Sequence, residues 1–156
     1  MLKKKDHCLT CLEGKTRYKS DKIFVFFGDL DELLATIGLA RAFSRKKSLK
    51  QTLLSLQDDL VALGGVIAGA IKAHLLRQKT KSLEKKIDQL KDPNVKEFSR
   101  PGATKVSAFL HLARATARRL ERRALKLKPK PHSALCAYLN RLSLLLFWLA
   151  KKEEQR

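Results

Sequence analysis

The sequence predicts an all-α protein, a single helical-bundle domain over residues 1–156. Apolar residues recur at spacings of three and four through five segments, as on the buried face of amphipathic helices. Short polar or proline-containing stretches separate these segments, which is typical of a helical bundle. The one short apolar run that could be a strand, Ile23 to Phe27, has no partner run elsewhere. Residues 1–22 are polar, basic and aperiodic, so we expect an irregular arm there and the bundle over 23–156.

The first helix is predicted to begin after Gly28. Asp29 can accept hydrogen bonds from the free N–H groups of a first turn, and Glu32 follows three residues later. Helical apolar spacing then continues to Ser44. The preceding run, Ile23 to Phe27, is expected to be extended and packed on the helices.

The second helix is predicted from about Ser48 to the region of His74. Its apolar positions are Leu49, Leu53, Leu56, Leu60, Leu63, Ile67 and Ile71. Gly64, Gly65 and Gly69 lie within this segment, although glycine costs a helix about 1 kcal/mol at each position. These glycines therefore indicate close packing against a neighbour or, less favoured, a nearby ligand.

Three more helices complete the prediction. The third covers about Lys81 to Leu90 and ends before Pro93. The fourth runs from about Thr104 to Leu127, where a proline-containing stretch ends it. The fifth runs from about Ser133 to Glu153.

The charge of the chain predicts anionic partners. Lys and Arg number 34 against 15 Asp and Glu, a formal net charge of +19. Nucleotide phosphates, nucleic acid and an anionic membrane surface all satisfy that excess. Nucleic-acid binding is the less favoured reading, restricted to weak non-specific contacts, because no recognition motif is present and aromatic residues are only 6% of the chain.

The sequence disfavours a membrane-spanning protein, a secreted protein and a metal site. No segment reaches the ~18 uncharged apolar residues of a membrane span, and no long apolar stretch follows the basic start MLKKKDHC. Three cysteines without a disulfide-rich pattern fit the reducing cytoplasm. Cys8 and Cys11 form a CxxC, but no second ligand pair at metal spacing accompanies them, so no metal site is expected.

Two helices carry candidate site residues. In the fourth, Arg114, Arg118, Glu121 and Arg122 fall three or four residues apart and share a face. Such a face can bind polyphosphate through planar guanidiniums, or it can simply be solvated. In the fifth, Asn140 interrupts an apolar stripe and requires hydrogen bonds from a core partner or a ligand.

Five colinear segments form a recognisable set: GDLDELLATIGLARA (28–42), LQDDLVALGGVIA (56–68), LEKKIDQL (83–90), EFSRPGATKVSAFLHLARATARRLERR (97–123) and YLNRLSLLLFWLA (138–150). Together they resemble the PduO-type ATP:cob(I)alamin adenosyltransferases, and the likeness extends from about Gly14 to Ala150. The resemblance implies a five-helix bundle assembled as a homotrimer, with active sites between subunits. It also implies transfer of the 5′-deoxyadenosyl group of ATP to the cobalt of a reduced corrinoid, releasing tripolyphosphate. ATP, Mg²⁺ and cobalamin are the implied ligands.

The resemblance assigns catalytic roles to three residues. Phe98 matches the aromatic residue that binds the lower face of the corrin and excludes the axial ligand of cobalt. Arg114 matches an arginine that pairs with an aspartate, here Asp31, to organise the intersubunit site. The matched ATP-binding positions are Lys19, Arg118, Glu121 and Asn140.

The chain departs from the family pattern at the start. The family's TKTGDxGxT loop wraps the triphosphate, but the corresponding residues here read MLKKKDH. Leu144 replaces an aspartate of the family, and Ala103 replaces a glycine. We therefore expect an active enzyme with a modified phosphate arm. The alternative is a catalytically impaired, trimeric protein that binds a corrinoid, another tetrapyrrole or a partner.

Overall fold

The computed structural model describes residues 8–12, 14–95, 100–127 and 133–155. These ranges contain a two-stranded hairpin followed by five helices, which confirms the predicted all-α, five-helix class. The elements are β1 (Leu9–Leu12), β2 (Lys15–Tyr18), α1 (Lys22–Phe43), α2 (Lys47–Ile67), α3 (His74–Leu90), α4 (Lys105–Ala124) and α5 (Ser133–Glu154).

The hairpin corrects the irregular arm expected over residues 1–22. Strands β1 and β2 are antiparallel, with Leu9 opposite Tyr18 and Leu12 opposite Lys15. Gly14 lies in the turn at a φ of 72°, a conformation that glycine adopts without steric cost. The Lys19 N–H donates to the Cys8 carbonyl at 2.8 Å and closes the open end. Four-residue strands are too short to give a clear alternation in sequence.

Helix α1 begins at Lys22, seven residues before Asp29, which was predicted to start it. Asp21 is its N-cap, because the Asp21 carboxylate accepts a hydrogen bond from the Ile23 N–H at 3.3 Å. That hydrogen bond, followed by one from Arg17, lowers the pKa of Asp21 below its usual value. The run beginning at Ile23 is therefore helical and not extended, and its Phe26 is fully buried.

Helix α2 stops at Ile67, so its predicted continuation to His74 was wrong. Gly69 has a φ of 74°, the Ala70 N–H donates to the Gly65 carbonyl at 2.8 Å, and the Gly69 N–H donates to the Val66 carbonyl at 3.2 Å. This is a Schellman ending, in which a left-handed glycine terminates the helix. Close packing does explain Gly65, where an added Cβ would lie 2.7 Å from Ile71 Cδ1.

The helices pack around one apolar core. Helix α4 packs between α1 and α5, while α2 packs on α1 and α3 on α5. By length and composition α5 is apolar enough to cross a membrane, but 61% of its most apolar window is buried inside the bundle. That burial is the pattern of a core helix.

A polar cluster fixes α5 against α2 and α3. The Tyr138 hydroxyl donates to Asp59 Oδ2 at 3.1 Å, and Lys79 binds the other oxygen of the same carboxylate. Burial, reinforced by Asp59, raises the pKa of Tyr138 well above its usual value. Because Tyr138 lies two residues before Asn140, this cluster fixes the segment of α5 that carries Asn140.

Candidate active site between helices α4 and α5

An open groove of about 290 Å³ runs between α4 and α5. Each helix contributes one face, since the lining positions on each are three or four residues apart. The lining residues are Arg114, Arg118, Asn140, Ser143, Leu144 and Phe147. Two guanidiniums on one wall and an amide on the other give the groove a positive, donor-rich surface.

Asn140 connects the two walls of the groove. Its Nδ2 donates to Glu121 Oε1 at 3.3 Å, and its Oδ1 accepts from Arg141 Nη1 at 3.0 Å. The amide is therefore held in one orientation, because its donor and its acceptor both have partners. The structure thus brings Glu121 and Asn140 together, beside the groove that Arg118 lines.

Arg114 has an unsatisfied donor in the described structure. Its Nε is buried and has no hydrogen-bond partner among the described residues. A buried unpaired donor costs about 1–3 kcal/mol, and an anionic acceptor would remove that cost. Asp31 is exposed on α1 and forms no ion pair with Arg114 within the described part of one chain. Their pairing, which the resemblance places between subunits, stays a prediction.

Two other predicted site residues are not brought to the groove by a described contact. Lys19 is exposed in the turn between β2 and α1. Phe98 lies outside the described residues, between Val95 and Arg100, so its role on the corrin stays a prediction.

Sequence reasoning missed an ion-pair network between α1 and α4. Asp29, predicted to be an N-cap, is instead buried within α1, where its Oδ1 accepts from Arg123 Nη1 at 2.5 Å and lies 3.3 Å from Arg119 Nε. Arg119 also binds Glu32, and that hydrogen bond, followed by the charge of Asp29, raises the pKa of Arg119. The signal in the sequence was a second pair of arginines on α4, Arg119 and Arg123. They are four residues apart, and the first of them lies five residues after Arg114.

A thiol lies close to the Glu121–Asn140 pair. Cys136 is half-buried one turn before Asn140 on α5. Burial raises the pKa of this thiol, and the charge of Glu121 adds to the effect. Cys8 and Cys11 are exposed, and within the described ranges no three His, Cys, Asp or Glu side chains are placed to hold a metal ion.

Comparison with known proteins places this geometry in a family. The family model described as cobalamin adenosyltransferase matches residues 1–153. The corrinoid adenosyltransferase of Citrobacter freundii is 38% identical over 96% of this chain and 91% of its own length. The Bacillus subtilis (strain 168) corrinoid adenosyltransferase is 35% identical over 80% of this chain and 70% of its own length.

Solved structures agree with the sequence relatives. A variant of the PduO-type ATP:corrinoid adenosyltransferase from Lactobacillus reuteri, complexed with cobalamin and ATP, superposes with a TM-score of 0.85 at 28% identity. The match covers 99% of this chain and 93% of that one. Because the family model spans nearly the whole chain and its relatives share both sequence and fold, the chain belongs to the PduO-type cobalamin adenosyltransferase family.

Proposed function

We propose that this chain is a corrinoid adenosyltransferase, which transfers the 5′-deoxyadenosyl group of ATP to the cobalt of a reduced corrinoid. The observation that carries the proposal is the α4–α5 groove, where Arg114 and Arg118 line one wall and Asn140 is fixed by Glu121. The relatives from Citrobacter freundii and Bacillus subtilis carry the same named activity.

The reaction assigns complementary tasks to these residues. The electron pair of Co(I) forms the Co–C5′ bond, the C5′–O bond breaks, and tripolyphosphate leaves with the electrons of that bond. Arg118 supplies guanidinium donors that stabilise the charge on the leaving phosphates, and Arg114 pairs with Asp31 of another subunit to organise the shared site. Glu121 and Asn140 offer an acceptor and a donor that position the nucleoside, and Lys19 adds charge near the phosphates. Mg²⁺ enters as part of the ATP complex.

We further propose a homotrimer with active sites shared between subunits, in the cytoplasm. Leu39 and Phe43 on α1 and Leu112 on α4 are large apolar side chains that are 44–50% exposed. Helices α1 and α4 run antiparallel, since Phe43 stacks on Phe109 while Asp29 pairs with Arg123, so these side chains form one patch. An exposed apolar patch of this kind supports burial against another copy. Phe98 would then meet the corrin at the shared site.

The proposal is tested by mixing the purified chain with MgATP and chemically reduced cob(I)alamin. The adenosylcobalamin spectrum should appear, as it does with the Citrobacter freundii relative assayed in parallel. Arg118→Ala and Asn140→Ala should each lower kcat/KM by roughly 10–100-fold, because each removes a charged or fixed contact to ATP. Arg77→Ala, on the exposed face of α3, is the matched control and should leave the rate unchanged.

Absence of adenosylcobalamin while the relative is active would overturn the enzymatic proposal. If the chain then still bound cob(II)alamin, the corrinoid-binding alternative would take its place. The observation that favours this alternative is the start MLKKKDH, which lacks the glycines and threonines of the family's phosphate loop. A glycine-rich turn lets backbone N–H groups approach phosphate, and lysines supply charge with less directionality.

A further inference from the structure

Two adjoining grooves lie where α2 begins, at the end of the bundle opposite the start of α1. The first has a volume of about 280 Å³ and lies between the start of α2 and the ends of α3 and α5. The second, of about 230 Å³, adjoins it and shares Gln89, Leu90 and Lys152 with it. Together they reach the size of small-molecule sites in proteins.

The lining of these grooves combines an apolar floor with an unsatisfied donor. Leu49, Leu145 and Leu149 lie along the first groove, and Trp148 lines the second. Trp148 is only 8% exposed, and its Nε1–H is buried without a hydrogen-bond acceptor among the described residues. A buried indole N–H usually has a partner, so an acceptor oxygen that reached this donor on binding would remove the cost of leaving it unpaired.

The rim of the grooves carries uncompensated positive charge. Lys86 and Lys152 line the grooves and form no ion pair within the described part of the chain. The nearby Glu153 carboxylate is paired with Lys46 at 2.6 Å, and the lining of the two grooves holds four lysines against two carboxylates, Glu153 and Asp92. The rim therefore favours an anion.

The grooves are separate from the candidate active site. On α5 the active-site groove is lined by Asn140, Leu144 and Phe147, whereas the two adjoining grooves are lined by Leu145, Leu149 and Lys152. At 3.6 residues per turn these two sets lie on different faces of the helix, with Trp148 between them and its ring edge-on to Phe147 at a centroid distance of 5.1 Å.

We propose that the adjoining grooves form a second ligand site, for a monocarboxylate that carries an apolar chain. The chain lies on Leu145 and Leu149, and the carboxylate meets Lys86, Lys152 and the indole N–H of Trp148. Neither ATP nor the corrinoid fits this description, since the first is a polyanion and the second is far larger than the grooves.

Trp148 makes the site directly observable, because it is the only tryptophan of the chain. Titrating the purified full chain with octanoate should change the Trp148 emission to saturation in the millimolar range or below. Octanol has the same apolar chain without the charge and should bind about tenfold more weakly. Inorganic phosphate has the charge without the apolar chain and should bind at least as weakly as octanol. Saturating MgATP should leave the octanoate affinity unchanged.

Charge-reversal variants supply the matched controls. The double variant Lys86→Glu and Lys152→Glu should weaken octanoate binding at least tenfold, whereas Lys85→Glu, on the exposed side of α3, should change it less than twofold. Because Trp148→Phe removes the fluorophore, octanoate binding to this variant is measured by calorimetry. It should be several-fold weaker than in the unmodified chain, with the helical content of the chain unchanged. The proposal is overturned by the absence of saturation, by equal binding of octanol, phosphate and octanoate, or by equal losses in Lys85→Glu and the double variant. These readouts need no adenosyl transfer, so they succeed or fail independently of the proposed enzymatic function.

Discussion

Glu121 has two neighbours on α5 that respond to its charge in different ways. It accepts a hydrogen bond from Asn140, and its charge helps to raise the pKa of Cys136. The residue that we propose to position the nucleoside is therefore also detectable through the chemistry of a thiol one turn away.

Labelling of Cys136 should report on Glu121. Because burial and the Glu121 charge raise the pKa of this thiol, less of it is thiolate at a given pH, and iodoacetamide should reach half its maximal rate at an elevated pH. Glu121→Gln removes the second cause and should shift that midpoint to lower pH, as measured by mass spectrometry of labelled peptides. Asp88→Asn, an exposed change on α3, is the control. An unchanged midpoint in Glu121→Gln would contradict this account.

At the scale of residues, the structure brings together several of the positions predicted from the helical spacing of α4 and from the family resemblance. The spacing of Arg114, Arg118, Glu121 and Arg122 predicted one face of α4, and of these Arg114 and Arg118 line the groove. The resemblance added Asn140, which the structure places against Glu121. Asp29 could not be assigned in the same way. An aspartate before an apolar helix is an equally good N-cap or buried ion-pair partner, and only the true start of α1 separates the two roles.

Among the elements, α4 has two basic edges with different partners. Arg119 and Arg123 bind Asp29 and Glu32 of α1, whereas Arg114 and Arg118 face the groove beside α5. The first edge holds α4 against α1, so the second is presented in a fixed position.

A matched pair of substitutions on α1 should separate stability from activity. Asp29→Asn removes the buried carboxylate that Arg123 and Arg119 share, and it should lower the free energy of unfolding by about 2 kcal/mol in a denaturant titration. Asp31→Asn lies two residues away on an exposed position, so it should cost less stability. Because we propose that Asp31 pairs with Arg114 of another subunit, Asp31→Asn should lose more adenosyl-transfer activity than Asp29→Asn. The reverse order in both measurements would contradict the assignment.

The number and order of the helices could be predicted from sequence, but several boundaries could not. The apolar spacing continues backwards through Phe26, and Asp21 caps the helix more than a turn before the predicted start. Helix α2 ends because Gly69 adopts a positive φ, which the bare letter does not reveal among three nearby glycines. The hairpin depends on the turn at Gly14 and on pairing too short to leave a period in the sequence.

For the whole molecule, the homotrimer that we propose would bury the exposed apolar patch of α1 and α4. Light scattering should give three times the 17.7 kDa chain mass. Leu112→Lys places a charge in the patch and should shift the assembly towards monomers, because burying an unpaired charge is costly. Leu54→Lys, on α2, is a control of similar exposure, 46% against 50% for Leu112, and should stay trimeric. A monomeric mass for the unmodified chain would remove the shared-site proposal while leaving the fold intact.

The packing of α1 against α4 has a consequence for the growing polypeptide. Leu33, Ile37 and Ala40 of α1 are completely covered in the finished bundle, which includes α4, but α4 is synthesised only after α2 and α3. Roughly 80 residues separate the end of α1 from the end of α4, on the order of 4–16 s of translation. During that interval a nascent α1–α2 pair shows one nonpolar side to its surroundings. The speed of the ribosome through α3 and α4 therefore sets how long the unfinished chain is exposed to wrong associations.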